Sequence, residues 1–163
     1  MIVYEDIISG DEMITDKFDL KEVDGVAYEA DCHYIEVKAG YDVDHGASGD
    51  SDNDQEETET VLDIIYSQRL QPTSFDKESY RHYLGGYINE VKSKTHFTDQ
   101  ERLDFKTKAD ALTKKIVSNF KDYVFYTGES QNSEGMVVLL SYREDGVTPY
   151  LTLWKHGLKG REV

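Results

Sequence analysis

The sequence contains one cysteine, Cys32, among its 163 residues. A single thiol cannot form a disulfide bond within the chain, nor supply the several thiolates of a structural zinc site. We therefore expect neither, and we expect a reducing compartment, the cytoplasm. The sequence also lacks any run of about 18 apolar residues and any basic, then apolar, opening typical of a secretory signal. These absences predict a soluble protein with no membrane span and no tightly bound cofactor.

Basic residues are scarce, since 18 Lys and Arg oppose 33 Asp and Glu, for a formal net charge of −15. This charge repels phosphate groups, so nucleic acid is not an expected partner. Between Asp76 and Asp122, however, ten basic residues stand against eight acidic ones. The segment is positive relative to the rest of the chain and predicts a docking surface for an acidic protein partner, although a solvated helical face explains the same charges. The candidate docking residues are Lys92, Lys94, Lys114 and Lys115.

Residues 41–60 contain eight acidic residues and no Lys or Arg. With few apolar side chains to bury, this segment is predicted to be a flexible, disordered acidic loop. Alternate carboxylates can converge on one cation, and weak, roughly millimolar calcium binding is expected from three of them: Asp50, Asp52 and Asp54. A true EF-hand is excluded, because Gln55 replaces the required glycine and Val61 replaces the bidentate glutamate.

The carboxyl-terminal region reads as three strands over residues 123–127, 136–142 and 148–154, where aromatic and β-branched residues alternate with turn-forming residues. The continuous apolar run 136–140 predicts a central strand that is buried on both faces. Shorter strands are expected near the amino terminus as an antiparallel meander, at residues 18–23, 26–30 and 34–38, with a tight turn at Asp24-Gly25. Residues 61–70 are also expected to be extended.

Two helices are predicted between the strands. Apolar residues recur at helical spacing from Tyr80 to Val91, with Ser74 or Asp76 as the amino-terminal cap. A second apolar stripe follows Thr98, which forms a capping box with Glu101. Because the connector is short, the two helices are expected to form an antiparallel hairpin over residues 74–122, inserted within a β body.

Six segments of the sequence resemble a known family: residues 1–13, 28–32, 73–77, 119–123, 125–130 and, most specifically, Tyr-Arg-Glu-Asp-Gly-Val-Thr-Pro-Tyr at 142–150. Together they resemble the translationally controlled tumour protein family over the whole chain. The resemblance implies a single domain, 1–163, of α+β class and mainly β. It implies twisted antiparallel sheets (a β-tent similar to a Rab-binding nucleotide-release accessory protein and to methionine sulfoxide reductase B), a projecting helical hairpin and a disordered acidic loop.

The resemblance also implies a cytosolic protein that is linked to growth and stress and is not an enzyme. Implied partners are tubulin and microtubules, a translation elongation factor, apoptosis regulators, weakly bound calcium, and a small GTPase of the Rheb type, on which nucleotide-exchange activity is in question. Glu12 matches the family residue implicated in the GTPase contact.

Two alternatives follow from the residues themselves. The chain could be a calcium buffer built on the acidic loop, which tight calcium binding would reveal. It could also be a redox protein that uses Cys32, which thiol-dependent turnover would reveal. Cys32 and His33 are neighbours, but neighbours on an extended chain point in opposite directions, so the pair is a poor candidate for nucleophilic chemistry.

Overall fold

The computed structural model of the protein describes residues 1–39 and 57–163. Helix and strand account for equal shares of these residues, 34% each, when two short 3-10 helices, Phe120–Asp122 and Lys155–Gly157, are counted as helix. In chain order the strands are β1 (Ile2–Asp6), β2 (Glu12–Thr15), β3 (Lys21–Val23), β4 (Ala27–Asp31), β5 (Tyr34–Lys38), β6 (Thr58–Leu62), β7 (Gln71–Thr73), β8 (Val124–Thr127), β9 (Val138–Tyr142), β10 (Pro149–Trp154) and β11 (Leu158–Glu162). The helices are α1 (Asp63–Ser67), α2 (Lys77–Lys94) and α3 (Asp99–Ser118).

The largest sheet has six strands in the order β3-β4-β10-β9-β8-β7, and every neighbouring pair is antiparallel. The three predicted carboxyl-terminal strands are confirmed as β8, β9 and β10. Strand β9 lies inside the sheet, and Val138, Leu139 and Leu140 are all buried. Apolar and polar residues therefore do not alternate in this strand because both of its faces are buried.

The turn between β3 and β4 is the predicted tight turn. Asp24 and Gly25 both have positive φ, 54° and 70°. Two successive residues in the left-handed region are typical of the two-residue hairpin turns that match the twist of the flanking strands.

The predicted antiparallel meander is wrong at its third strand, β5. After β4 the chain leaves the large sheet: the Cys32 N–H still donates to Pro149 O at 2.8 Å, but β5 pairs with β6 instead, from Tyr34 opposite Leu62 to Lys38 opposite Thr58. The same pairing moves the end of the predicted loop, because Thr58 and Thr60 belong to β6. Both threonines are β-branched, and such residues favour a strand when a partner strand supplies the backbone hydrogen bonds.

Residues 61–70 are not one strand, as the sequence led us to expect. Strand β6 ends at Leu62 and α1 follows, with Ile64 completely buried. Asp63 lies in the first turn of α1, where a carboxylate is favourable, and its Oδ1 also accepts from the His33 N–H at 2.9 Å. A short apolar run does not distinguish helix from strand, so periodicity alone could not settle this segment.

Helices α2 and α3 confirm the predicted helical pair. Asp76 caps α2 and Thr98 caps α3, each in a capping box. The pair is antiparallel, because Tyr80 at the start of α2 lies 5.9 Å, ring to ring, from Phe120 just after α3. At the other end, Phe97 in the connector lies 5.4 Å from the ring of His156 in the β body. The hairpin therefore lies along the body and does not project from it.

The turn between β9 and β10 contains the most specific segment of the sequence. Asp145 accepts hydrogen bonds from the N–H groups of Thr148 and Val147, and these lower the pKa of its carboxyl group. Arg143 stacks 3.9 Å above the Tyr150 ring and pairs with Asp31 at 2.8 Å. These contacts fix the turn between two central strands, so this segment has a structural role.

Candidate functional site

Glu12 is the first residue of β2, and the turn before it is fixed by a buried carboxylate. Asp6 is 2% exposed and accepts hydrogen bonds from the Ile8 N–H at 3.0 Å, the Ser9 hydroxyl at 2.6 Å and the Met136 N–H at 2.8 Å. A buried carboxylate is stable in such a position because these donors replace its water. The backbone before Glu12 is therefore held in one conformation.

A second aspartate joins the same turn to the loop after β8. Asp11 Oδ2 accepts from the Ser130 hydroxyl at 2.7 Å and from the Ser130 N–H at 3.3 Å. The loop approaches both aspartates closely because two of its residues lack a Cβ. A Cβ on Gly128 would overlap the Asp11 side chain, and a Cβ on Gly135 would lie 2.6 Å from an Asp6 carboxylate oxygen. Sequence reasoning gave neither aspartate this role, because Met136 and Ser130, through which they bind the distant loop, lie more than a hundred residues from them.

The Glu12 side chain is 56% exposed, and its Oε2 lies 3.3 Å from Arg161 Nη2. Arg161 is shared, because the same nitrogen lies 2.9 Å from Glu5 Oε2. An exposed pair of this kind contributes little to stability, about 0 to 1 kcal/mol. Glu12 can therefore exchange Arg161 for a basic group on a partner at small cost.

Glu12 borders a polar groove of about 450 Å³, which we call the Glu12 groove. Its walls are the turn before β2, the end of α1 and the loop after β8, and its charged residues are Asp11, Glu12, Arg69 and Glu129. Arg69 lies 3.3 Å from Glu129 and offsets one of the three carboxylates. The remaining negative charge suits a basic surface on a partner.

The four candidate lysines lie on the helical hairpin but not in one patch. Lys92 and Lys94 are in the last turn of α2, beside the connector. Lys114 and Lys115 are near the end of α3, and about 15 residues of helix, roughly 22 Å, separate them from the connector. The hairpin thus presents two lysine pairs, one at each end, where the sequence grouped four residues as one surface.

These lysines differ from their neighbours in ion pairing. Lys106 and Lys108 each lie 2.9 Å from an aspartate one helical turn away on α3. Within residues 1–39 and 57–163, Lys92, Lys94, Lys114 and Lys115 form no ion pair. No residue of α2 or α3 lines the Glu12 groove. The two candidate surfaces are therefore spatially separate and opposite in charge.

Cys32 lies in an environment that suppresses thiol reactivity. The side chain is 2% exposed, and burial, together with nearby Asp63 and Asp31, raises the pKa of the thiol to about 12. Reactive cysteines have lowered pKa values and access to solvent. His33 points outward, with its Nδ1 3.5 Å from Asp63 Oδ2. The two neighbours face opposite sides, so they form no nucleophile and base pair.

The calcium candidates Asp50, Asp52 and Asp54 lie outside the described residues, as does most of the predicted acidic loop. Among the residues with described positions, no group of three or more His, Cys, Asp or Glu side chains could hold a metal ion. None of the described helices combines the length and apolarity needed to cross a membrane. Weak calcium binding thus stays a prediction.

The sequence and the fold of the chain both have relatives among known proteins. The family model of the translationally controlled tumour protein matches residues 1–159. A translationally-controlled tumor protein homolog of Alternaria alternata is 52% identical, over 100% of both chains. The solved structure of the protein p23fyp from Schizosaccharomyces pombe is 49% identical, covers 100% of both chains and has a TM-score of 0.85. A Caenorhabditis elegans relative with 24% identity and a TM-score of 0.69, covering 100% of this chain and 99% of that one, shares the fold.

Proposed function

Because the chain belongs to the translationally controlled tumour protein family, we propose that it is a cytoplasmic protein that binds several protein partners through two separate surfaces. One surface is the helical hairpin with its two lysine pairs. The other is the Glu12 groove. The observation that carries the proposal is the separation of four lysines on α2 and α3, which form no ion pair within the described residues, from a groove of opposite charge.

The hairpin surface suits an acidic partner, and the proposed partner is tubulin or the microtubule. Within residues 1–39 and 57–163 the four lysines form no ion pair, which leaves their charge available to a partner, whereas Lys106 and Lys108 are already paired with Asp110 and Asp104. Exposed charge of this kind acts mainly on the rate of association, because it attracts the partner over a distance of about one Debye length.

The Glu12 groove suits a basic partner, and the proposed partner is a small GTPase of the Rheb type. Two features support it. Within residues 1–39 and 57–163 the ion-pair partner of Glu12 is an exposed arginine that it shares with Glu5, and the backbone around Glu12 is held by Asp6 and Asp11. A fixed backbone reduces the entropy lost on binding. A translation elongation factor and apoptosis regulators are further proposed partners, without an assignment to either surface.

The hairpin proposal is tested by association kinetics with tubulin. We expect Lys92→Glu with Lys94→Glu, and separately Lys114→Glu with Lys115→Glu, to slow association by about tenfold at low salt and to flatten its salt dependence. The matched control is Lys17→Glu with Lys159→Glu, which makes the same change in net charge at exposed lysines outside the hairpin. Equal slowing by the control would show that net charge, and not the hairpin, governs the association.

A further inference from the structure

Gly85 and Gly86 lie in the middle of α2, where they are unfavourable. Each glycine inside a helix costs about 1 kcal/mol relative to alanine. Close packing is the usual compensation, but a Cβ at either position would meet no atom within 4 Å. The interior of the protein therefore gives no reason for either glycine, and the reason has to be sought on the outer face of the helix.

The outer face at Gly86 is a groove of about 440 Å³, which we call the Gly86 groove. It is formed by one side of α2 and the loop after β8, with His82, Tyr83, Gly86, Tyr87, Glu90 and Glu134 along its walls. Any side chain at position 86 would extend into this space. Gly85 does not line the groove, and nothing in the structure explains it.

One wall of the groove is rigid and aromatic. The Tyr83 hydroxyl donates to Gly135 O at 2.6 Å and accepts from the Val137 N–H at 3.0 Å, which fixes the ring against the loop. Tyr83 and Tyr87 stack with 5.8 Å between ring centroids. The half-buried Tyr83 ring, backed by the buried ring of Tyr87, offers the kind of apolar surface on which an aliphatic stem packs. This wall needs no rearrangement to receive one.

The rim of the groove carries two carboxylates, Glu90 on α2 and Glu134 on the loop. Both residues are exposed, and within the described part of the chain neither forms an ion pair. An apolar wall below two free carboxylates is complementary to a side chain with a long aliphatic stem and a cationic end. Arginine fits better than lysine, because its planar guanidinium can donate to two carboxylates at once.

We propose that the Gly86 groove binds an arginine side chain presented by a protein partner. The stem lies over Gly86 and against the tyrosine wall, and the guanidinium pairs with Glu90 and Glu134. This surface is distinct from both surfaces proposed above, since it shares no residue with the Glu12 groove or the lysine pairs and accepts positive charge on an otherwise basic hairpin.

The test is a titration of the isotope-labelled protein, followed by amide chemical shifts, with a short Gly-Ser peptide that carries one central arginine. The matched probe carries citrulline, which has the same shape without the charge. We expect shifts at Gly86, Glu90 and Glu134, with binding at least about tenfold weaker for citrulline and for Glu90→Gln with Glu134→Gln. Lysine in place of arginine is expected to bind more weakly.

Two leucine variants make the location of binding testable. Both glycines are exposed and face open space, so Gly86→Leu and Gly85→Leu should fold equally well, which near-UV circular dichroism checks. Gly86→Leu fills the groove and is expected to abolish the shifts, while Gly85→Leu retains them. Equal binding by the two variants, no shifts at all, or shifts spread over the acidic surface would each overturn the proposal.

Discussion

Cys32 and His33 are adjacent in the chain, but the side chain of Cys32 is buried and that of His33 is exposed. That they face different sides follows from strand geometry and could be predicted from the sequence. The carboxylate near them could not, because Asp63 lies thirty residues further on, in a helix that the sequence did not indicate. Partners of a side chain are predictable when they are within a turn or two along the chain, and otherwise depend on how distant elements pack.

The raised pKa of Cys32 makes stability depend on pH. Burial raises it from 9.0 to about 12, so between these values the folded protein keeps a proton that the unfolded chain releases. The free energy of unfolding should therefore fall as pH rises through this window. We expect the urea midpoint of the wild type to fall relative to that of Cys32→Ala between pH 8 and 10.5. Tyrosines are common to both proteins, so parallel curves would contradict the prediction.

At the scale of elements, the helices were predictable where the residues that cap them lie close to them in sequence. The caps of α2 and α3, Asp76 and Thr98, are close in sequence to the amides that they bind. The pairing of β5 with β6 was not predictable, because it joins segments on either side of residues 40–56. The anchor of the turn before Glu12, Asp6, was not predictable, because one of its three donors, the Met136 N–H, lies 130 residues away.

The anchoring role of Asp6 gives an element-scale prediction. Asp6→Ala leaves the Met136 and Ile8 N–H groups without an acceptor in a buried site, and we expect the free energy of unfolding to fall by about 3 kcal/mol. Urea denaturation measures this, with Asp19→Ala, an exposed aspartate, as the control. Hydrogen exchange at Met136 should also become faster. A loss equal to that of the control would show that the turn is held by other contacts.

At the scale of the whole molecule, the antiparallel fold with a helical pair was predictable from strand and helix patterns, and composition indicated where positive charge is concentrated. Lys92 and Lys94 are about twenty residues from Lys114 and Lys115 in sequence. The antiparallel pairing of α2 and α3, which was predicted and which the contact of Tyr80 with Phe120 confirms, places the two pairs at opposite ends. The separation of the hairpin from Glu12 was not predictable, because it depends on the complete fold.

The most direct test of the two-surface account measures two variants against two partners in one binding series. The variants are Glu12→Val and a protein with Lys92, Lys94, Lys114 and Lys115 all changed to Glu, and the partners are tubulin and a small GTPase of the Rheb type. Near-UV circular dichroism confirms folding first. We predict that the lysine variant binds tubulin at least about tenfold more weakly and keeps its affinity for the GTPase. We predict that Glu12→Val binds the GTPase more weakly and keeps its affinity for tubulin. Equal loss of both partners by each variant would contradict the account and indicate one shared interface.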